Sequence, residues 1–420
     1  MDDKTLYQTI LGLTPPWRVT DVALKPSDEL VEVTVDSDQR RWPCPDCKSL
    51  CQQHDTRFRR WRHLDSCQYQ TILCAAVPRV RCPKHGVKQV PVPWAEAGSR
   101  FTAMFEMLVL RWLREASLSA VSKQFGIGWT AIAGVQRRAV RRGLKRRIFE
   151  QGRELPEHLG IDETSFQKRH EYVTVVCDQV GGHVVHVADG RSGEAVAEYL
   201  KCFTLEERRA VKTVAMDMWQ AYISAVETWI PDAGTKICFD KFHVAQHLGQ
   251  AVDRVRREEH RHFSKQGSSP LTGTKHLWLS RAAGLSIGRQ QLLASLKHIA
   301  TRTARAWALK EAGMSAWKYR SRNWARAALK RWYSWAIRSR LEPMKKVARM
   351  IKSHLDGIVN AIYHGMTNAR AEGINSRIQW IKYTARGFRN RDRFRTAIYF
   401  HLGGLDMTPE VIKPIGLHTS

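Results

Sequence analysis

The sequence is short of acid. Its 420 residues carry 40 Asp and Glu against 68 Lys and Arg, a formal net charge of +28 that points to a polyanionic partner. Long apolar runs are missing too. No stretch of about 18 apolar residues is present to span a bilayer, and the start at Met1-Asp2-Asp3 has neither the basic beginning nor the apolar core of a secretory leader. Nucleic acid therefore leads over membrane, and a cytoplasmic location is expected. Paired disulfides are disfavoured as well. Nine cysteines is an odd count, and two of them form Cys44-Pro-Asp-Cys47, which reads as metal ligands before cross-links. Core-forming residues are not lacking: a 43% hydrophobic share over this length predicts two to four folded domains.

In the first hundred residues, Val31, Val33 and Val35 alternate with polar residues as in a half-buried strand. Cys44-Pro-Asp-Cys47 follows, and Cys82-Pro-Lys-His85 returns after strand-like runs at 58–64 and 69–74. Two turn-borne pairs bracketing short strands suit one tetrahedral structural Zn²⁺, with Cys44, Cys47, Cys82 and His85 as ligands. Cys51, Cys67 and Cys74 are spare thiols, any of which is an alternative to His85, and a module that binds no metal is the other reading. The run Arg57-Phe58-Arg59-Arg60-Trp61-Arg62-His63 reads either as a phosphate grip or as a solvated strand face.

Residues 101–115 place Met104, Phe105, Leu108 and Leu113 at helical spacing; a second helix is predicted at 118–125, a turn at Gly126-Ile127-Gly128, and a third helix at 129–145. This is the layout of a helix-turn-helix. The third helix carries Arg137, Arg138, Arg141 and Arg142 and runs on to Lys145, Arg146 and Arg147 without an acid. Such a helix suits DNA, because neutralised phosphates release counterions. A three-helix bundle with a solvated basic face is the bland alternative. Residues 151–157 read as a polar linker.

From Leu159 the texture changes to β-branched runs. Strands are predicted up to Asp162, at 172–177 and 183–188 about the hairpin signal Gly181-Gly182, at 211–216 ending on Asp217, and at 236–239 ending on Asp240, with helices at 192–203 and 219–229 between them. Three strands in a meander followed by two helix-to-strand crossovers is the order of a ribonuclease H-like sheet, whose first and fourth strand ends lie side by side. Asp162 and Asp217 would face one crevice, and Glu372 on a later helix would add a third carboxylate. Three carboxylates suit two Mg²⁺ or Mn²⁺ ions and an in-line phosphoryl transfer. Glu163, next along the strand, points to the other face and is the weaker ligand; Asp178 and Asp189 are further acids near the crevice.

Taken together, the zinc-ligand pairs, the helix-turn-helix, Gly160-Ile161-Asp162-Glu163, Ala215-Met216-Asp217-Met218-Trp219, Phe239-Asp240-Lys241-Phe242-His243-Val244 and Ala371-Glu372-Gly373-Ile374-Asn375 resemble bacterial insertion-sequence transposases of the ISL3 type over nearly the whole chain. The resemblance implies a DDE transposase with Asp162, Asp217 and Glu372 as its metal-binding triad. It also implies an N-terminal half that binds terminal inverted repeats, and a homodimer to hold two ends. Asp240 and His243 become candidates for positioning a phosphate or metal; the alternative is a helix-capping aspartate with a half-buried histidine. The sequence departs from the pattern at Met366-Thr367-Asn368-Ala369-Arg370, where a Ser-Asn-Gly-like approach to the glutamate is expected.

The expected organisation is multidomain: a β-rich zinc-binding module (1–95), a helix-turn-helix domain (96–150), a ribonuclease H-like α/β catalytic domain (157–262 and 356–405) interrupted by an all-α insertion (263–355), and a tail (406–420). Between 289 and 349, sixteen Lys or Arg stand against Glu311 and Glu342, with Trp307, Trp317, Trp324, Trp332 and Trp335 interleaved. Most of these tryptophans are expected in a helical core and one or two against DNA. Arg389 and Arg391 read as backbone contacts. Two other readings stay open: a non-catalytic DNA-binding regulator, and a nuclease of this fold without strand transfer.

Overall fold

The structure is a computed structural model and describes residues 2–149, 152, 155–167, 171–366 and 369–411, with backbone alone at 369–371. The chain forms two compact units, Met1–Gly152 together with the stretch from Leu405, and Arg153–Gly404.

In the first unit, α1 (Asp3–Ile10) precedes β1 (Arg18–Lys25), β2 (Leu30–Asp36), β3 (Arg41–Pro43), β4 (Leu50–Arg62), β5 (Gln70–Cys82) and β6 (Gly86–Gln89). The sheet order is β1-β2-β5-β4-β3, with β6 paired to β5. Val31, Val33 and Val35 are buried on one side of β2, as their alternation predicts, and pack with Trp17, Trp42, Trp61 and Trp94. Three helices follow: α2 (Ala103–Glu115), α3 (Leu118–Phe125) and α4 (Trp129–Phe149). Their ends are set by local chemistry. Thr102 accepts from the Phe105 amide and Ser117 from the Ala120 amide, and Gly126 closes α3 at φ 61°, a left-handed angle that glycine adopts without steric cost. The expected tail does not begin free. Leu405 and Met407 are buried, and Arg142 of α4 donates to the Met407 carbonyl at 2.7 Å; residues 412–420 lie outside the described residues.

The second unit is built on β7 (His158–Gln167), β8 (Glu171–Asp178), β9 (His183–Asp189), β10 (Thr213–Met216) and β11 (Ile237–Phe239), in the order β11-β10-β7-β8-β9. The meander β7-β8-β9 is antiparallel, while β10 runs parallel to both β7 and β11. Helices α5 (Gly193–Leu200), α6 (Leu205–Ala210), α7 (Gln220–Trp229) and α8 (Ala233–Lys236) make the crossovers. The long α9 (Lys241–Lys265) leads to α10 (Lys275–Leu279), α11 (Ile287–Ile299), α12 (Thr301–Ser315), α13 (Arg322–Ile337), α14 (Glu342–Ser353) and α15 (Leu355–His364), and then to α16 (Ala369–Thr384) and α17 (Arg391–Leu402).

Alternation along β7 gives the sheet two faces. Leu159 and Ile161 join the larger core with α5, α7 and the helices after β11; Phe166 joins a second core with Ile374, Ile378 and Ile381 of α16 and Phe394 of α17. Residues 263–355 are helices and turns, and their buried side chains continue the core of the sheet rather than forming one apart. Trp307 and Trp332 lie in that core and Trp317 packs on it, whereas Trp324 and Trp335 are exposed. No helix among the described residues is long and apolar enough to cross a membrane.

Candidate functional site

The parallel strands put three aspartates in one rank. Thr213, Val214 and Ala215 pair with His158, Leu159 and Gly160, and Val214, Ala215 and Met216 pair with Ile237, Cys238 and Phe239. Continuing that register past the last pairs sets Asp217 beside Asp162 and Asp240 beside Asp217; Asp217 and Asp240 follow the last residues of β10 and β11, whereas β7 runs on to Gln167, five residues past the end expected at Asp162, because it stays paired with β8. Asp162 is on the α16 face, where Asn375 donates to its Oδ2 at 2.5 Å while the Glu163 amide donates to Oδ1 at 2.8 Å. Burial, reinforced by the charges of Asp217 and Glu163, pushes the Asp162 carboxyl up to about 7. Asp217 forms an ion pair with Nε2 of His243, the first-turn histidine of α9, whose pKa that contact raises. Asp240 caps α9 by accepting from the Phe242 amide at 3.1 Å, and its other oxygen is buried without a hydrogen-bond partner. The capping reading of Asp240 is thus correct, and it leaves one oxygen aimed at no protein donor.

Glu372 lies in the first turn of α16 and is exposed. Partial burial and the charge of Asp240 raise its pKa, and the charge of His243 opposes the shift. Three contacts fix α16 along β7: Asn375 on Asp162, Gln379 on Thr164 at 2.9 Å, and the Lys382 ammonium on the Ser165 carbonyl at 2.6 Å. Asn375 was not singled out by the sequence; it stands one turn after Glu372, and that spacing was the available signal. The residues leading into this turn, 367 and 368, lie outside the described residues.

Glu163 points to the opposite face, as strand alternation predicts, and pairs there with Arg191 at 3.1 Å, whose guanidinium stacks 4.0 Å from the Trp219 ring centroid. Asp178 and Asp189 stand away from the rank. Asp178 accepts from the Val180 amide in the hairpin turn, and Asp189 pairs with Arg395.

In the first unit, Cys44, Cys47, Cys82 and His85 place their ligand atoms within 4.8 Å of one another; no other set of three or more His, Cys, Asp or Glu among the described residues is as closely gathered. The sulfurs of Cys47 and Cys82 are 3.6 Å apart, and Nδ1 of His85 is 3.6 Å from Cys82 and 3.8 Å from Cys44. A tetrahedron with Zn–S bonds of about 2.3 Å has edges of roughly 3.8 Å. Each pair is followed by a left-handed residue, Lys48 at φ 63° and Gly86 at φ 70°, which turns the chain back over the ligands. Cys51, Cys67 and Cys74 lie outside the cluster, so the thiol alternatives to His85 are not used.

The basic helix α4 corrects the expectation from charge. Arg138 pairs with the buried Glu106, and Arg142 is itself buried, pairing with Glu96 and holding the Met407 carbonyl. These two side chains are structural, because acids distant in sequence meet them inside the unit. Arg137, Arg141 and Lys145 are exposed. The run in β4 divides likewise: Arg57, Phe58 and Arg60 face solvent, while Trp61, Arg62 and His63 are buried. In the second unit Arg389 is exposed, and Arg391 pairs with Glu171 at 3.1 Å on the surface.

Three family models match the chain: residues 159–398 match a transposase model of the DDE, ISL3 type, residues 90–140 match the helix-turn-helix domain of transposase family ISL3, and residues 40–85 match the zinc-finger of transposases IS204/IS1001/IS1096/IS1165. Among curated relatives, the transposase for insertion sequence element IS1001 of Bordetella parapertussis is 27% identical over 384 residues, 90% of each chain. The transposase for insertion sequence element IS1557 of Mycobacterium tuberculosis is 29% identical over 359 residues, 79% of each chain.

Proposed function

The chain belongs to the ISL3 family of transposases, and from that premise we propose that Asp162, Asp217 and Glu372 form its DDE centre, at which the terminal inverted repeats of an insertion sequence are cut and joined to target DNA. The observation that carries this reading is the rank of Asp162 and Asp217 on adjacent parallel strands, with Glu372 on the helix bonded to Asp162. The strand order β11-β10-β7-β8-β9 supports a ribonuclease H-like catalytic fold, with the helices of 263–355 as an insertion that shares its core.

The site suits divalent cations. A carboxyl held near 7 by burial and like charge, together with a buried Asp240 oxygen and a buried Asn375 carbonyl that lack hydrogen-bond partners, forms a polar set that a cation would satisfy. Mg²⁺ or Mn²⁺ held there by Asp162, Asp217 and Glu372 would supply Lewis-acid activation of the attacking hydroxyl and stabilise the leaving oxygen. The chain's own residues do the positioning. Asn375 fixes the orientation of Asp162, His243 fixes that of Asp217, and Asp240 anchors the start of α9 so that His243 faces the rank. The three contacts of α16 with β7 hold Glu372 at the rim. The test is cutting and joining of labelled element ends with Mg²⁺, compared between the native chain and Asp162→Ala. Cutting without joining would reduce the activity to that of a nuclease; end binding without cutting would leave a regulator.

Asn375→Ala is expected to lower both Mn²⁺ affinity and the cutting rate by about 10- to 100-fold, the usual cost of losing a group that orients a metal ligand. Calorimetric Mn²⁺ titration reads the first effect independently of activity, and an unchanged affinity would remove Asn375 from this role.

In the first unit we assign duplex binding to the exposed side of α4. Substituting Arg137, Arg141 and Lys145 together by alanine is expected to weaken binding to duplexes of any sequence and to flatten the dependence of log affinity on log salt by roughly 2 to 3. Anisotropy titrations over a salt series measure this, and an unchanged slope would take α4 out of the interface. Arg142→Ala behaves differently: it strands the Glu96 carboxylate and costs about 3 kcal/mol or more of stability, read as a lowered melting temperature. Two element ends must be held together for joining, so the working assembly on DNA is a homodimer.

A further inference from the structure

The helix that carries Glu372 is apolar on two sides. Ile374, Ile378 and Ile381 are buried against the sheet, yet Trp380 is 54% and Tyr383 84% exposed. At 3.6 residues per turn, Glu372, Ser376 and Tyr383 follow one stripe with Trp380 at its edge, and the stripe runs about 16 Å from the carboxylate to the tyrosine. The rings do not seat the helix, because the isoleucines and the contacts of Asn375, Gln379 and Lys382 with β7 already do so. Two large aromatic side chains presented to water on the helix that carries Glu372 call for a partner.

Charge chooses among the partners. From Gly373 to Arg391 the sequence contains no acid, and Arg377, Arg386 and Arg389 are exposed beside the stripe. A second copy of a chain bearing +28 would set like charge against like charge here. An anion with flat apolar faces fits instead. Duplex DNA hides those faces in its stack, whereas unpaired nucleotides offer them. We infer that Trp380 and Tyr383 are a stacking platform for unpaired nucleotides of the DNA strand adjoining the bond that is cut, with the arginines on its phosphates. The inference rests on reading Glu372 as part of the catalytic centre.

The probe is a short oligothymidylate carrying 5-iodouracil, in EDTA and moderate salt, so that no cutting is required. Irradiation is expected to cross-link it within the peptide 378–386. Trp380→Ala with Tyr383→Ala is expected to weaken oligothymidylate binding by about tenfold or more and binding to a duplex of the same length by less than about twofold, while Trp380→Phe with Tyr383→Phe keeps native affinity for both. Equal loss on both DNAs, or cross-links confined to other peptides, would overturn the platform. Loss of self-association in sedimentation with unchanged oligothymidylate binding would overturn it too, making the face a contact between copies. None of these results bears on whether Asp162, Asp217 and Glu372 cut DNA, which the Mg²⁺ assay decides separately.

Discussion

Cys82→Ser is expected to yield a chain without zinc, in which the turns at 44–47 and 82–85 and the short strands β3 and β6 lose their protection from hydrogen exchange. The native chain is expected to carry about one zinc ion by metal analysis. The expected effect is large, because structural zinc in small sites contributes on the order of 10 kcal/mol, comparable with the whole stability of a typical domain. It is also local. Trp17 and Trp61 each pack edge-on against Trp94, with ring centroids 5.0 and 5.4 Å from it, in a core to which β1, β2 and the middle of β5 contribute apolar side chains, and this part is expected to remain folded. Cys67→Ser and Cys74→Ser should keep their zinc, since neither thiol belongs to the cluster. A native chain with less than about half an ion per molecule would contradict the four-ligand site.

Asp162→Asn is expected to abolish cutting, a loss of at least about a thousandfold, while leaving duplex affinity within about twofold, since that affinity is assigned to α4. The same substitution has a second signature that needs no DNA. The folded carboxyl titrates near 7 against an ordinary value of 3.8. Below pH 4 both folded and unfolded chains hold the proton, and the residue imposes no penalty. Between 4 and 7 the folded chain binds the extra proton, so stability falls as pH rises; above 7 the penalty is complete. Without metal, the asparagine chain should therefore melt higher than the native one at pH 8, with the difference shrinking towards pH 4. A full three-unit shift would be worth about 4 kcal/mol, and partial solvent access reduces this to roughly 1 to 2 kcal/mol. Added Mn²⁺ should stabilise the native chain and not the variant. Equal melting curves at pH 8 would mean that Asp162 is not held in the strained state described.

Local chemistry was legible in the sequence where a cap or turn residue marks a boundary, and less so where a helix or strand simply runs on, as β7 does to Gln167. Ser117 and Gly126 bound α3 at the predicted positions, and the predicted third helix runs four residues beyond its expected end. Alternation in β7 correctly divides Asp162 from Glu163, and the strand ends at Asp217 and Asp240 fall where β-branched runs give way to polar residues. What was not legible depends on partners far away in the chain. Four arginines on one helix look alike as letters, but Glu106 and Glu96 take two of them inside. Leu405 and Met407 resemble a tail until they are seen against α4. Asn375 carries no charge and closes the motif that holds Glu372, but its contact with Asp162 appears only when α16 lies along β7. The tryptophans of the helical segment show the same limit: spacing cannot tell the buried Trp332 from the exposed Trp335, three residues later.

The central claim is that one crevice in the second unit cuts and joins DNA through three carboxylates, and Glu372 is the member that geometry constrains least, being exposed at the start of its helix. The most direct measurement is therefore cutting and joining of labelled element ends in Mg²⁺ by the native chain and by Glu372→Gln, at concentrations where both bind the ends equally. Cut ends and joined products are expected from the native chain and neither from the variant. Cutting that persists in Glu372→Gln at more than about a tenth of the native rate would contradict the central claim.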